Sequence, residues 1–407
     1  MSDSPLSGTP PGGAPIDVAA ELSALDAVGL RRRLRTFEPD LTHPMTVRHL
    51  GQAVVNFSSN DYLGLAHCEE LKAAMVEGVG LYGAGSGASR LVCGTQPPHE
   101  ALEAELATFK KTEAALTFTS GYATAVGVIP ALCGSDDLII LDKLCHASLI
   151  DAARLSGATL RVFPHNHLEK LERLLFGARA SSRPARRVLV VTESIFSMDG
   201  DASPLREIVA LKDQYDAWLM VDEAHAVGVL GPQGRGLAAA LGVDQRIELQ
   251  MGTLSKALGV SGGYLAASRA VVDLCINRAR SLIYSTAPPP ALAHAAAASV
   301  RLVQSATGDV LRERLFANRS HLATLLDRSF EGLPAAILPL LVGDEGAAMQ
   351  ASADLLQEGY LIPAIRYPTV ARGSARLRLT ASAAHEKLQI EGLVASLLHM
   401  MPQLRQA

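Results

Sequence analysis

The sequence predicts an α/β fold in which helices cover both faces of a mostly parallel central sheet. From about Val47 onward, short runs rich in β-branched residues alternate with amphipathic stretches rich in Ala and Leu, which is the rhythm of repeated βαβ units. Several of these runs are continuously apolar, as expected for strands that are buried on both faces. The 407 residues, 48% of them apolar, are enough to build a large core.

Six short apolar runs are the strand candidates of this sheet. In chain order they read "ALTFT", "DLIILD", "TLRVF", "RVLVVTES", "AWLMVDE" and "IELQMGT". Between two of them, "SPLREIVALKDQY" predicts a helix that is capped by Ser203 and has Pro204 at its first position.

The chain is predicted to have three parts. Residues 1–45 form an N-terminal tail and helical arm, 46–290 a large domain, and 291–407 a smaller α+β domain that follows the prolines at 288–290. The tail is rich in Gly, Pro and Ser, which is typical of disorder. The stretch "VAAELSALDAVGLRRRLRTFE" predicts one helix, with Arg31, Arg32 and Arg33 on a solvated face.

Composition excludes several classes of partner. The net charge of -4 gives no reason to expect nucleic acid or an anionic membrane as a partner. The N-terminus has no signal-peptide pattern, and no apolar run is long enough to span a bilayer. The five cysteines form no CxxC pair, so we expect a reduced, cytoplasmic protein.

Polar residues follow five of the predicted strands, at their carboxyl ends. In open α/β sheets ligands bind at this edge. In chain order the candidates are Ser120-Gly121-Tyr122, His146, Ser197, Asp222 with His225, and Thr253 with Lys256.

These residue types suit pyridoxal 5'-phosphate (PLP). A Gly/Ser turn at a helix N-terminus binds phosphate through backbone N–H groups, an Asp pairs with the pyridine nitrogen, and a lysine forms a Schiff base. Each residue also has an ordinary interpretation: Asp222 as a helix cap, His146 as a core histidine, and Lys256 as a surface lysine. Their combination at one sheet edge favours PLP.

The same stretches resemble the α-oxoamine synthases, fold-type I PLP enzymes that join an amino acid to an acyl thioester with loss of carbon dioxide. The resemblance runs from about Asn56 to His385. Its motifs are "NFSSNDYLGLA", "YGAGSGASRLVCGT", "FTSGYATA", "DKLCHASLIDAARLS", "VTESIFSMDGD", "MVDEAHAVGVLGPQGRG", "GTLSKALGVSGGY" and "LIYSTAPPP".

The resemblance implies an acyltransferase and a role for each candidate residue. Lys256 carries PLP, Asp222 pairs with the pyridinium nitrogen, and His146 stacks on the ring. His225 and Ser197 face the phenolic oxygen of PLP. Gly121, Tyr122 and Thr253 contact its phosphate. Ser285 and Thr286 are expected to reach the cofactor of a second subunit, which implies a homodimer. Arg366 binds the amino acid's carboxylate, and Arg31, Thr369 and His146 contact substrate.

The segment "PAIRYPTVARGSARLRLTASAAH" bears on the substrate. Its "IR-PTV" pattern, together with "GLRRRL", favours the family member that condenses L-alanine with pimeloyl-CoA or a pimeloyl acyl carrier protein on the route to biotin. Tyr367-Pro368 and "SAAH" also occur in relatives that use glycine, so glycine, or a longer acyl-CoA, is the alternative. A non-catalytic homologue is disfavoured because Lys256 and Asp222 are both present.

Two other motifs are set aside. "GAGSGA" matches a loose dinucleotide-binding pattern but follows a helical segment instead of a strand. "HNH" at 165–167 predicts a solvated loop, and neither it nor Asp222 with His225 has the further ligands of a metal site.

Overall fold

The computed structural model describes residues 16–182, 184–329 and 335–401. The disorder predicted for 1–15 lies outside the described residues. The chain divides into two compact units, residues 1–38 and 39–407. No helix among the described residues is long and apolar enough to cross a membrane.

Helices and strands alternate along most of the chain. The strands are β1 (Glu38–Pro39), β2 (Thr46–His49), β3 (Gln52–Asn56), β4 (Ala114–Phe118), β5 (Leu138–Asp142), β6 (Thr159–Phe163), β7 (Val188–Glu193), β8 (Trp218–Asp222), β9 (Leu249–Thr253), β10 (Gly263–Ala267), β11 (Ile337–Gly343), β12 (Tyr360–Leu361), β13 (Ala364–Ile365) and β14 (Ala375–Thr380). The α-helices are α1 (Val18–Ala27), α2 (Glu69–Tyr82), α3 (Pro97–Lys110), α4 (Gly121–Leu132), α5 (Ala147–Leu155), α6 (Leu168–Ala180), α7 (Leu205–Gln214), α8 (Leu237–Ala240), α9 (Arg269–Arg278), α10 (Arg280–Ile283), α11 (Pro290–Gln304), α12 (Ala306–Leu325), α13 (Glu345–Gln357) and α14 (Lys387–Met400).

The N-terminal unit contains α1, which starts at a cap formed by the Asp17 carboxylate and the Ala20 N–H, 3.0 Å apart. The helix ends at Ala27, ahead of Gly29, whose φ of +64° is incompatible with a right-handed helix. The prediction of one helix through residue 38 is therefore wrong, and the three arginines after Leu30 do not lie on a helix.

A seven-stranded sheet forms the centre of the larger unit, in the order β4-β10-β9-β8-β7-β5-β6. All six predicted strands are present, and β5 to β9 run parallel. The sequence analysis missed β10, which pairs antiparallel with both β4 and β9. Its segment "GYLAA" is rich in Gly and Ala, which have little preference for strands, although every residue in it is buried.

The predicted cap of α7 is also wrong. The Ser203 hydroxyl donates to the Glu193 carbonyl at 2.6 Å, and Pro204 occupies the position just before the helix. Ser203 therefore holds the end of β7 instead of the start of α7.

Two smaller sheets complete the fold. In one, β3 lies between β2 and β12, and in the other, β14 lies between β11 and β13. Apolar residues from β11, β14, α13 and α14 form a separate cluster that includes Leu338, Leu377 and Leu393. Because β12 pairs with β3, residues 360–361 join a sheet begun near residue 46, and the domain division at 290 remains a prediction.

Candidate active site

The carboxyl ends of β4, β5, β7, β8 and β9 meet at one edge of the large sheet, here called the rim. Lys256 lies on the rim in the loop between β9 and β10, which is closed where Thr253 pairs with Gly263. The Gly259 N–H donates to the Lys256 carbonyl at 2.8 Å. Gly259 has a φ of +66°, and a Cβ there would lie 2.6 Å from the Ala66 nitrogen, so only glycine fits this bend.

The Lys256 amine has one hydrogen-bond partner among the described residues. Its Nζ lies 2.9 Å from Nε2 of His225. Burial lowers the pKa of Lys256, and the positive charge of Arg378 acts in the same direction, while Asp222 and Glu193 oppose the shift. The uncharged form of the amine, which is the nucleophilic one, is therefore favoured.

Two carboxyl groups lie side by side under the rim. Glu193 and Asp222 are register partners at the ends of β7 and β8, and both are almost fully buried. Burial raises the pKa of each. Asp222 accepts a hydrogen bond from the Ala224 N–H at 2.9 Å, and Glu193 accepts one from the His146 N–H at 2.5 Å.

His146 is exposed on the rim and caps α5. Its Nδ1 lies 2.8 Å from the Ser148 hydroxyl. Burial lowers the pKa of His146, and Lys256 adds to this effect against the opposing charge of Asp222. A neutral, exposed imidazole is suited to stacking against a planar ring.

The start of α4 provides an anion site. The Ser120 side chain caps the helix by accepting from the Ala123 N–H at 3.0 Å, and the first N–H groups, of Gly121 and Tyr122, have no acceptor within a helix. A Cβ on Gly121 would lie 3.8 Å from the Thr253 Cβ, so Gly121 and Thr253 are neighbours. The Tyr122 hydroxyl donates to Asp151 at 2.9 Å.

Several residues of the site come from distant parts of the chain. Arg378 on β14 donates to the Ser197 carbonyl at 2.5 Å and to Asn60 Oδ1 at 3.2 Å. The Tyr62 hydroxyl lies 2.5 Å from Nδ1 of His225. Sequence reasoning did not single out Asn60, Tyr62 or Arg378 as site residues. The first two lie within "NFSSNDYLGLA", so that motif was the available signal.

For the other predicted site residues the structure shows contacts within their own segments. Arg31 lies in the N-terminal unit and pairs with Asp26 at 2.5 Å. Arg366 and Thr369 share a turn after β13, in which the Thr369 N–H donates to the Arg366 carbonyl at 2.9 Å. The Ser285 hydroxyl donates to the carbonyl of the neighbouring Thr286 at 3.2 Å.

The "HNH" segment forms a loop, as the sequence predicts, but His165 in it is partly buried instead of solvated. His165 bridges two carboxylates, with Nδ1 3.1 Å from Asp142 and Nε2 2.8 Å from Asp201. Burial lowers the pKa of His165, but the hydrogen bonds to both carboxylates outweigh it and raise the pKa to about 10. No group of three metal-binding side chains occurs in the described parts of the chain.

These features fit PLP. The site offers an amine with a lowered pKa, a buried carboxyl group beside it, and the first N–H groups of a helix next to Thr253. PLP requires an amine, an acidic partner for its ring nitrogen and an anion site for its phosphate.

Comparisons with known proteins agree with this chemistry. A model of the class I and II aminotransferases matches residues 52–397. A curated 8-amino-7-oxononanoate synthase from Anaeromyxobacter dehalogenans is 47% identical over 390 residues, which cover 95% of this chain and 96% of that one. The serine palmitoyltransferase of S. paucimobilis, solved with a bound PLP–myriocin aldimine, superimposes with a TM-score of 0.88 at 29% identity and covers 96% of this chain and 98% of its own.

A solved 8-amino-7-oxononanoate synthase from Francisella tularensis has a TM-score of 0.72 at 27% identity, covering 86% of this chain and 98% of its own. The chain therefore belongs to the fold-type I PLP enzymes of the aminotransferase class I and II family. Within that class it is an α-oxoamine synthase, and 8-amino-7-oxononanoate synthases are among its relatives of highest identity.

Proposed function

We propose that this enzyme condenses L-alanine with a pimeloyl thioester to give 8-amino-7-oxononanoate, carbon dioxide and a free thiol, a reaction of biotin biosynthesis. The observation that carries the proposal is the Lys256 amine, held 2.9 Å from His225 and beside Asp222, in a chain 47% identical to a named synthase of this reaction.

The residues of the rim divide the work of holding the cofactor and moving a proton. PLP, when bound, accepts the electron pair that is left on the amino acid's Cα. Asp222 binds the ring nitrogen, Gly121, Tyr122 and Thr253 bind the phosphate, and Ser197 with His225 faces the phenolic oxygen. Once free, Lys256 Nζ takes the proton from the amino acid's Cα, since burial lowers its pKa and so favours the form of the amine that carries a lone pair.

Substrate binding is assigned to residues away from the strand ends. Arg366 binds the carboxylate of L-alanine, as its guanidinium makes no hydrogen bond or ion pair to another described side chain. Arg31, Thr369 and His146 contact substrate, and the acyl carrier is coenzyme A or an acyl carrier protein.

The active enzyme is proposed to be a cytoplasmic homodimer with shared sites. Tyr284 is 72% exposed, although it is a large aromatic residue, and Ser285 and Thr286 follow it. Exposure of this kind supports contact with a partner, to whose cofactor the two hydroxyl residues contribute. The five free cysteines support a reducing compartment.

Glycine is the second candidate for the amino acid. It is favoured by Tyr367-Pro368 and "SAAH", which occur in glycine-using relatives. A longer acyl chain is favoured by the TM-score of 0.88 to serine palmitoyltransferase, but the higher identity to the synthases outweighs it.

Free-thiol release tests these alternatives directly. The purified PLP-loaded enzyme is incubated with L-alanine or glycine and with pimeloyl, acetyl or palmitoyl thioesters of coenzyme A, and with the pimeloyl carrier protein. We expect turnover with L-alanine and a pimeloyl thioester, and none in Lys256→Ala. Lys387→Ala, at an exposed lysine, is the matched control and should retain wild-type activity. Activity only with glycine and acetyl-CoA would overturn the proposed substrates.

A further inference from the structure

A buried chain of hydrogen bonds lies behind Lys256. The Tyr62 hydroxyl is 2.5 Å from Nδ1 of His225, whose Nε2 is 2.9 Å from Lys256 Nζ. Tyr62 is 1% exposed and His225 is 5% exposed, so water does not compete for these contacts. Each ring nitrogen of His225 therefore faces one protein partner, and the position of the ring hydrogen decides what His225 offers to Lys256.

His225 is neutral in this setting. Burial lowers the pKa of His225 well below its usual range, and the positive charge of Arg378 acts in the same direction. A neutral imidazole has one N–H and one lone pair. The tautomer is set by the hydrogen bond that the nitrogen remote from the reactive group makes.

The direction of the Tyr62 hydrogen bond follows from its neighbours. Burial raises the pKa of Tyr62 to about 12, so the hydroxyl keeps its hydrogen. It has two possible acceptors, Nδ1 of His225 at 2.5 Å and Asn60 Oδ1 at 3.2 Å. Asn60 Oδ1 already accepts from Arg378, and the shorter contact is the one to His225.

We propose that Tyr62 is a positioning residue that donates its hydroxyl hydrogen to Nδ1 and thereby holds His225 in the tautomer with hydrogen on Nε2. His225 then directs an N–H, and not a lone pair, at Lys256 Nζ, which disfavours the ammonium form of the amine. The opposite tautomer would offer a lone pair and stabilise the ammonium form instead. The inference deepens the proposed function, since it rests on Lys256 being the reactive amine.

Nitrogen NMR of histidine-labelled, PLP-loaded enzyme without substrates reads the tautomer directly. The His225 signals are assigned by their loss in His225→Gln. We expect Nε2 to carry the hydrogen and Nδ1 to show the shift of a hydrogen-bonded acceptor. In Tyr62→Phe, which removes only the hydroxyl, the Nδ1 resonance should lose that shift and the tautomers should mix. A wild-type enzyme with hydrogen on Nδ1 would overturn the proposal, whether or not the variant folds.

Tyr264→Phe is the matched control. Tyr264 is also fully buried, and its hydroxyl has no hydrogen-bond partner among the described residues. We expect its His225 spectrum to equal that of wild type. Identical His225 spectra in Tyr62→Phe and Tyr264→Phe would contradict a specific role of Tyr62.

Steady-state kinetics give a second readout. In Tyr62→Phe, kcat should fall by about 10- to 100-fold, the scale seen when the outer hydrogen-bond partner of a metal-bound histidine is removed. The KM for the amino acid should stay within about twofold, because Tyr62 does not contact the proposed carboxylate site. The NMR result is independent of substrate, so a tautomer change in an enzyme that fails to use L-alanine would refute the proposed function and leave this inference intact.

Discussion

Two lysines of this protein, Lys110 and Lys256, differ in the hydrogen-bond partners of their amines. Lys110, 1% exposed, places its Nζ 2.5 Å from a carboxylate oxygen of Glu223 and 2.5 Å from the Arg235 carbonyl. Lys256 has only the ring nitrogen of His225 within hydrogen-bond distance among the described residues. Glu223 and Asp222 are neighbours in sequence. Glu223 forms an ion pair with Lys110, whereas Asp222 forms none with a described residue.

The difference separates a structural lysine from a reactive one. Glu223 also accepts from the Ala238 N–H at 2.9 Å, so each of its carboxylate oxygens has a hydrogen-bond partner. No carboxylate of the described residues is hydrogen-bonded to Lys256, and burial lowers its pKa. Burial alone therefore does not make a lysine reactive. A buried lysine becomes reactive when no carboxylate forms an ion pair with its amine.

The largest expected effect is on Lys256. In Lys256→Ala, turnover should fall to the uncatalysed rate, since both the covalent bond to PLP and the proton transfer are lost. The visible absorption of bound PLP should change with it, because no imine forms with the protein. Stability should be unchanged or higher, because no ion pair is broken. Turnover at the wild-type rate in Lys256→Ala would refute the assignment of Lys256.

Lys110→Met should affect stability more than turnover, the reverse of Lys256→Ala. Removing one partner of a buried ion pair leaves Glu223 uncompensated and should lower the free energy of unfolding by about 3–5 kcal/mol. Urea unfolding of the PLP-loaded enzyme measures this loss. Adding Glu223→Gln should restore part of it, and a loss below about 1 kcal/mol in the single variant would remove the contrast between the two lysines.

Asp222→Asn tests the proposed role of the Asp222 carboxyl group as the partner of the PLP ring nitrogen. The variant should still bind PLP, but exchange of the Cα hydrogen of L-alanine with D₂O should slow by about 10²- to 10³-fold, the usual cost of removing one group that stabilises developing charge. Proton NMR follows the exchange without the acyl substrate. Exchange at the wild-type rate would rule out the proposed role of Asp222.

His165, like Lys110, is paired with carboxylates, but its contribution to stability is smaller and depends on pH. Its folded pKa of about 10 lies above the usual value of about 6.5. The resulting stability is fully present below about pH 6.5 and is lost as the pH rises through 10. The urea midpoint of wild type should therefore fall from pH 7 to 10 more steeply than that of His165→Gln. His321→Gln, at the exposed pair with Glu391, should retain the wild-type slope.

Much of the sheet and rim could be predicted because the signals are local. Each predicted strand is a contiguous apolar run, and each predicted rim residue follows its own strand within a few positions. Lys256, Asp222, His225 and Thr253 could thus be placed at one edge without knowledge of tertiary contacts. The family resemblance supplied their roles.

The remaining features depend on long-range contacts. Tyr62 reaches His225 across 163 residues, and Arg378 reaches Asn60 across 318, so no spacing rule connects them. Strand β10 was missed because its small residues are specified by close packing: a Cβ on Gly263 would lie 2.6 Å from the Gly121 nitrogen. The arm helix ended early because Gly29 has a positive φ, which periodicity does not reveal.

The β9–β10 pairing has a consequence for the order in which the site forms. Lys256 lies in a hairpin loop, closed between Thr253 and Gly263, and such short loops close on a submillisecond timescale. The strand that brings Arg378 lies more than a hundred residues further along and has a larger entropy of closure to overcome. We expect the lysine to be positioned before Arg378 arrives, so the contribution of Arg378 to the lowered pKa of Lys256 is acquired only when β14 docks.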